Sequence, residues 1–174
     1  MKNTAIIIPT RLGAKRFPNK PLAKINNLPM IIHVLNKAKE AQVGEVVVAT
    51  PDQKIYQIVQ DNGGRAVLTK PEHPSGSDRI YEAYIKELKN NFDLIINLQG
   101  DMPNIKPHSI SKLEQLMRSN ECDIGTLASV ILDKKDITNP NIVKVEVDKE
   151  LRNDAFVKAK DFFRVEKDLN SRKI

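Results

Sequence analysis

The sequence predicts an α/β fold with a mostly parallel sheet and helices on both faces. Three observations predict it. Short β-branched runs at Ala5–Ile8, Glu45–Thr50, Ala66–Thr69 and Leu94–Leu98 alternate with segments of helical period, the pattern of βαβ units. The runs are apolar on both alternating sets of positions, as strands covered on both faces must be. A dense group of positive charge follows directly on the first run, where open α/β sheets hold their ligands.

The elements follow in order. Ala5–Ile8 is the first strand, stopped by Pro9. Pro29–Ala41 brings Met30, Ile31, Val34, Leu35, Ala38 and Ala41 near one helical face, with Pro29 suited to the first turn. Glu45–Thr50 is a buried strand. Gln53–Asp61 is a second helix, closed by Asn62, Gly63 and Gly64, and Ala66–Thr69 is the strand behind it. Asp78–Asn90 is a third helix, Leu94–Leu98 a strand, and Pro107–Arg118 a fourth helix with Pro at its start. Ile124–Leu132 and Ile142–Val147 read as further strands.

Length and composition bound the molecule. With 174 residues, 40% hydrophobic and 29% charged, the chain suits one globular domain, read as residues 1–150, followed by a divergent polar tail, 151–174. The single cysteine, Cys122, has no intrachain partner for a disulfide, and no apolar run approaches membrane length. A cytoplasmic protein without a membrane partner is expected. There is no Trp, aromatics are few, and no helix carries a basic stripe, which argues against nucleic acid as a partner.

Three strand-end segments carry candidate chemistry. Residues 5–24, AIIIPTRLGAKRFPNKPLAK, hold Arg11, Lys15, Arg16, Lys20 and Lys24 with no acid, against a net charge of +6 for the chain. The basicity is therefore local, and such a cluster at a strand's carboxyl end suits several phosphate oxygens; a solvated basic loop is the alternative. Residues 70–79, KPEHPSGSDR, crowd small residues and hydroxyls before a helix, either to admit a nucleotide or simply to cap the helix through Ser77 or Asp78. His73 has no second ligand at metal spacing and reads as a loop residue. Residues 97–103, NLQGDMP, place Asp101 at a strand end, where it is either a Mg2+ ligand or part of a Gly-Asp turn.

In order and spacing, IIIPTRLGAKRFPNKPL, HPSGSDR, NLQGDMP and the NPNIVKVEVD segment at 139–148 resemble the cytidylyltransferases that activate eight-carbon sugar acids. The likeness, running from about Ile6 to Val147, is greatest to the 3-deoxy-manno-octulosonate (KDO) cytidylyltransferases. The resemblance implies a Rossmann-like nucleotide-diphospho-sugar transferase fold. It also implies a reaction of CTP with KDO, giving CMP-KDO and pyrophosphate for lipopolysaccharide biosynthesis. By the same resemblance Arg11 and Lys20 hold the triphosphate and stabilise developing charge, with Lys15 and Arg16 supporting. Pro9, Gly13, Ser75, Gly76, Ser77, Asp78, Arg79 and Gln99 form the nucleotide site, and Asp101 is a catalytic residue that binds Mg2+.

Two departures accompany the likeness. Met102 stands where the family pattern QGDEP has Glu. The family also continues through a segment with sugar-acid contacts, much of a homodimer interface and a second metal-binding Asp in a GVDTPEDL-like motif, none of which is in this sequence. Asp161 and Asp168 do not match that motif. The expectations left open are a working KDO cytidylyltransferase, a non-catalytic CTP-binding remnant, a related enzyme for an acid such as sialic acid, and a basic interaction module that keeps only the fold.

Overall fold

The computed structural model describes residues 3–13, 17–89, 91–119, 122–149 and 156–164. The chain forms two compact units, Met1–Ser119 and Asn120–Ile174. Lys15 and Arg16 of the basic loop, and Asp168 of the tail, lie outside the described residues.

The first unit opens with β1 (Thr4–Pro9) and a single 3-10 turn, Lys20–Leu22. A small hairpin, β2 (Lys24–Ile25) and β3 (Leu28–Pro29), leads into α1 (Met30–Glu40). Next come β4 (Glu45–Thr50), α2 (Gln53–Asp61) and β5 (Arg65–Leu68). Then α3 (Gly76–Ala83) runs into a π-turn at Tyr84–Leu88, followed by β6 (Leu94–Asn97) and α4 (Pro107–Ser119). Four strands pair in parallel in the order β5-β4-β1-β6. The chain thus winds one way from β1 to β5 and then returns to add β6 on β1's other side, which makes β1/β6 a topological switch point.

The continuous apolar strands explain why both faces are covered. Successive side chains of β1 point to opposite faces. Ile6 and Ile8 join Val48 and Ile96 under Ile31, Val34 and Leu35 of α1, Ile55 and Val59 of α2 and Ile110 of α4. Ala5 and Ile7 join Val47 and Ala49 against Ile80 and Ala83 of α3. Ile6, Ile7 and Ile8 are fully buried, and each contributes about 2–3 kcal/mol by area. Among the described residues no helix is long and apolar enough to cross a membrane.

Several local expectations change. The hairpin comes from Asn26 and Asn27, both at positive φ (47° and 65°), the two-residue geometry that favours Asn. Helix α3 starts at Gly76 rather than Asp78, because Ser75 is the cap: its hydroxyl accepts from Asp78 N, and the Asp78 carboxylate accepts from Ser75 N at 3.0 Å. Pro29 lies just outside α1 as its N-cap residue.

In the second unit, α5 (Lys134–Ile137) is a single turn capped by Asp133, and β7 (Lys144–Val147) pairs antiparallel with β8 (Ala159–Phe163), a strand inside the stretch read as tail. The strand expected at Ile124–Leu132 does not form. Ile124, Val130 and Leu132 are largely exposed, and among the described residues this β-prone run has neither ladder partner nor buried face. Lys144 is fully buried, and its ammonium donates to the carbonyls of Asn139, Ile142 and Arg164, binding the 139–142 turn to the end of β8.

Gly44 allows the turn before β4 to cross the start of β1. A Cβ there would lie 1.8 Å from the Thr4 carbonyl oxygen, a backbone atom that cannot swing aside. Gly44→Ala is expected to cost about 1–3 kcal/mol of stability, measured as a lower midpoint in denaturant unfolding.

Candidate active site

A cleft of about 340 Å³ opens at the carboxyl ends of β1 and β6. Pro9, Thr10 and Arg11 line it from β1, Lys20 and Pro21 from the 3-10 turn, and Gln99, Gly100 and Asp101 from β6. The loop before α3 supplies His73, Pro74, Ser75, Gly76 and Arg79. The three segments singled out in the sequence therefore meet at one place.

Each contributor is held by its local chemistry. Gly100 lets the two strand ends approach: a Cβ there would sit 3.1 Å from Thr10 Cβ and 3.2 Å from the Pro9 carbonyl oxygen. Lys20 Nζ lies 2.6 Å from Asp101 Oδ2, with the Asp101 side chain 51% exposed at the cleft. Arg11 is exposed and forms no ion pair among the described residues. The Gln99 side-chain amide donates to Asn97 Oδ1 at 2.7 Å.

Arg79 is engaged differently from Arg11. It is 3% exposed, and its guanidinium donates to Thr69 Oγ1 and to the carbonyls of Lys70 (3.0 Å) and Pro71 (3.3 Å). Burial, and then the positive charge of Arg11, draw its pKa below the usual value. Arg79 shapes the wall of the cleft by gathering the 69–71 turn. Asp78 is held below its ordinary pKa chiefly by the hydrogen bond from the Ser75 hydroxyl, and it serves the helix cap. Gly13, Ser77 and Asp78 do not line the cleft.

The sequence reading missed Thr10, Pro21, His73, Pro74 and Gly100 as lining residues. His73 is mostly buried and its Nε2 lies 2.5 Å from Glu82 Oε2, in the last turn of α3. Glu82 also accepts from Lys70 N at 2.9 Å and pairs with Lys86 at 2.5 Å, so one carboxylate fastens the cleft loop to its helix. Glu82 is nine residues from His73, which lies before α3, so no helical spacing in the sequence signals this pair.

The cytidylyltransferase family model matches residues 5–173, and the chain belongs to that family. The match includes the stretch after Leu151, where the sequence alone suggested that likeness ends. Within the family, the chain is 45% identical over 142 residues to the 3-deoxy-manno-octulosonate cytidylyltransferase of Nitrobacter winogradskyi, covering 81% of this chain and 56% of that protein. It is 47% identical over 152 residues to the enzyme of the same name from Thermodesulfovibrio yellowstonii, covering 84% and 60%. The chain thus spans less than two thirds of the length of these relatives. Among solved structures, CMP:2-keto-3-deoxy-manno-octonic acid synthetase complexed with CTP matches with a TM-score of 0.80 and 34% identity, over 98% of this chain and 68% of that one. A cytidylyltransferase from Leptospira borgpetersenii shares the fold at a TM-score of 0.60 and 24% identity, over 70% of this chain and 51% of that one.

The Glu82 network predicts a pH dependence. Burial raises the Glu82 pKa, but hydrogen bonds from Lys86, His73 and Lys70 N outweigh it and bring the value down to about 2 from an ordinary 4.5. A depressed carboxylate pKa stabilises the fold above the unfolded value and loses that contribution as pH falls toward the folded one. Glu82→Gln should therefore cost on the order of 2 kcal/mol near neutral pH. The gap to wild type should close between about pH 4.5 and 2, read by thermal melts across that range.

Proposed function

We propose that the cleft binds CTP and that the chain acts as a cytidylyltransferase toward 3-deoxy-manno-octulosonate. One observation carries the proposal: Arg11, Lys20 and Asp101 converge in one cleft at the switch point between β1 and β6. The names of the relatives support the choice of nucleotide and sugar acid.

In this reading the triphosphate lies against Arg11 and Lys20, and the cytidine faces the loop of Ser75 and Gly76 and the side chain of Gln99. The sugar hydroxyl oxygen attacks the α-phosphorus, losing its proton to solvent, as the bond to the bridging oxygen breaks and pyrophosphate departs. Little covalent work falls to the protein, so catalysis rests on alignment and on neutralising charge at the phosphoryl oxygens. Arg11 is suited to this because no carboxylate among the described residues holds it. Lys20 must leave Asp101 to reach phosphate.

Mg2+ fits the donor that Asp101 offers. The carboxylate is a hard oxygen ligand, half exposed to a cleft suited to phosphate, and no cluster of three His, Cys, Asp or Glu side chains among the described residues could form a cage. Bound there, the ion would supply charge neutralisation at the phosphates. The reading carries with it a cytoplasmic protein serving lipopolysaccharide biosynthesis, a homodimer as in the family, and neither nucleic acid nor a membrane as partner.

A second reading, CTP binding without turnover, is favoured by Met102. This residue is 42% exposed beside Asp101, where the family pattern has Glu, and its thioether offers Mg2+ no hard oxygen. Pyrophosphate release from CTP, Mg2+ and 3-deoxy-manno-octulosonate separates the two. Release that disappears in Arg11→Ala supports the enzyme; CTP binding without release supports the second reading.

Two binding predictions follow from the cleft. Arg11→Ala or Lys20→Ala should weaken CTP binding by about 1–3 kcal/mol, each losing a charge-assisted phosphate contact; calorimetric titration measures this, and unchanged affinity in both variants contradicts the phosphate site. Mg2+ should bind weakly to the protein alone and tightly only with CTP, since Asp101 offers a single carboxylate. Tight binding without nucleotide contradicts that assignment.

A further inference from the structure

We infer that Asp52 is a positioning residue for Arg11, a role resting on the CTP reading of the cleft. Asp52 is the N-cap residue of α2, in the turn that leaves β4, and an Asp there ordinarily accepts from the first amides of its own helix. Its carboxylate makes no such bond. Instead Asp52 Oδ2 accepts from Leu12 N at 2.8 Å, tying the turn after β4 to the loop after β1 across 40 residues of sequence. The helix forgoes its side-chain cap in favour of the basic loop.

The consequence falls on Arg11. On one side, Thr10 N donates to the Ala49 carbonyl at 3.0 Å, the last bond of the β1/β4 edge. On the other, Leu12 is fixed three times: its amide by Asp52, its carbonyl by Asn19 N at 3.2 Å, and its side chain against the core that includes Ile8 and Ile31. Arg11 stands between two anchored residues with its own side chain exposed at the cleft. Its backbone is thus aimed before any ligand arrives, and less ordering is required on binding.

A competing effect makes the sign informative. The Asp52 charge is close enough to influence Arg79, where it opposes the effects of burial and of Arg11. A carboxylate this near the cleft repels a triphosphate, so if charge dominated, removing it would tighten binding. If anchoring dominates, removal loosens binding, and only while Arg11 is present to be misplaced. An Asn at 52 keeps an oxygen acceptor for Leu12 N and loses the charge.

The test is a double-mutant cycle on the 174-residue chain, with calorimetric titration of CTP and thermal melts of every variant. Asp52→Ala should weaken CTP binding roughly tenfold, the size of one lost anchoring hydrogen bond. In an Arg11→Ala background the same change should have little effect, and Asp52→Asn should bind CTP as well as the wild type or better. Tighter binding by Asp52→Ala, no change, or an equal loss with and without Arg11 would overturn the role while leaving the CTP reading intact. Absence of CTP binding by the wild-type chain would overturn both. Hydrogen exchange at Leu12 N, faster in Asp52→Ala than in Asp52→Asn at matched stability, separates lost anchoring from general unfolding.

Discussion

The molecule's chemistry depends on the placement of β1 between β4 and β6. Ile6, Ile7 and Ile8 are fully buried, with neighbours on both edges and helices on both faces, so the strand is about as immobile as a chain segment can be. The loops after β1 and β6 lead to α1 and α4 on one face of the sheet, and with the loop before α3 they line the cleft at the strands' carboxyl ends. Arg11 and Asp101 stand four residues or fewer beyond the ends of those strands. Their relative position is therefore set by the most rigid part of the fold rather than by the loops themselves.

The two arginines at the cleft illustrate how burial separates binding from building. Arg79 and Arg11 are alike in charge, yet Arg79 is nearly sealed and satisfied by Thr69 and two carbonyls, whereas Arg11 is exposed beside the opening. Withdrawing Arg79 would break its buried bond to Thr69 and two part-buried bonds to carbonyls, a cost that a phosphate contact would have to exceed. Arg11 faces no such penalty. The Lys20–Asp101 pair is intermediate: half exposed and screened, it is weak enough to exchange for phosphate and cation.

Much of this was legible in the sequence because the signals were local. The four parallel strands and helices α1, α2 and α4 are apolar runs of clear period, and the structure places them within a few residues of the expected bounds. Arg11 and Asp101 are legible as charges just past strand ends, and Lys20 as part of the basic loop. What escaped depends on distant partners or on two-residue geometry. Asp52 looks like a helix cap until Leu12 is seen 2.8 Å away. The Asn26–Asn27 turn carries its signal in two residues between short strands, and the cap is Ser75 rather than the Ser77 or Asp78 that the sequence suggests. Ile124–Leu132 differs for the opposite reason: its local propensity for strand is strong, but among the described residues no pairing edge meets it.

The most direct test of the account is a crystal structure of the 174-residue chain with CTP. The account predicts the triphosphate between the ends of β1 and β6, in contact with Arg11 and Lys20, with Lys20 drawn away from its 2.6 Å contact to Asp101. CTP bound elsewhere, or a cleft that stays empty with the Lys20–Asp101 pair intact at saturating nucleotide, would contradict it.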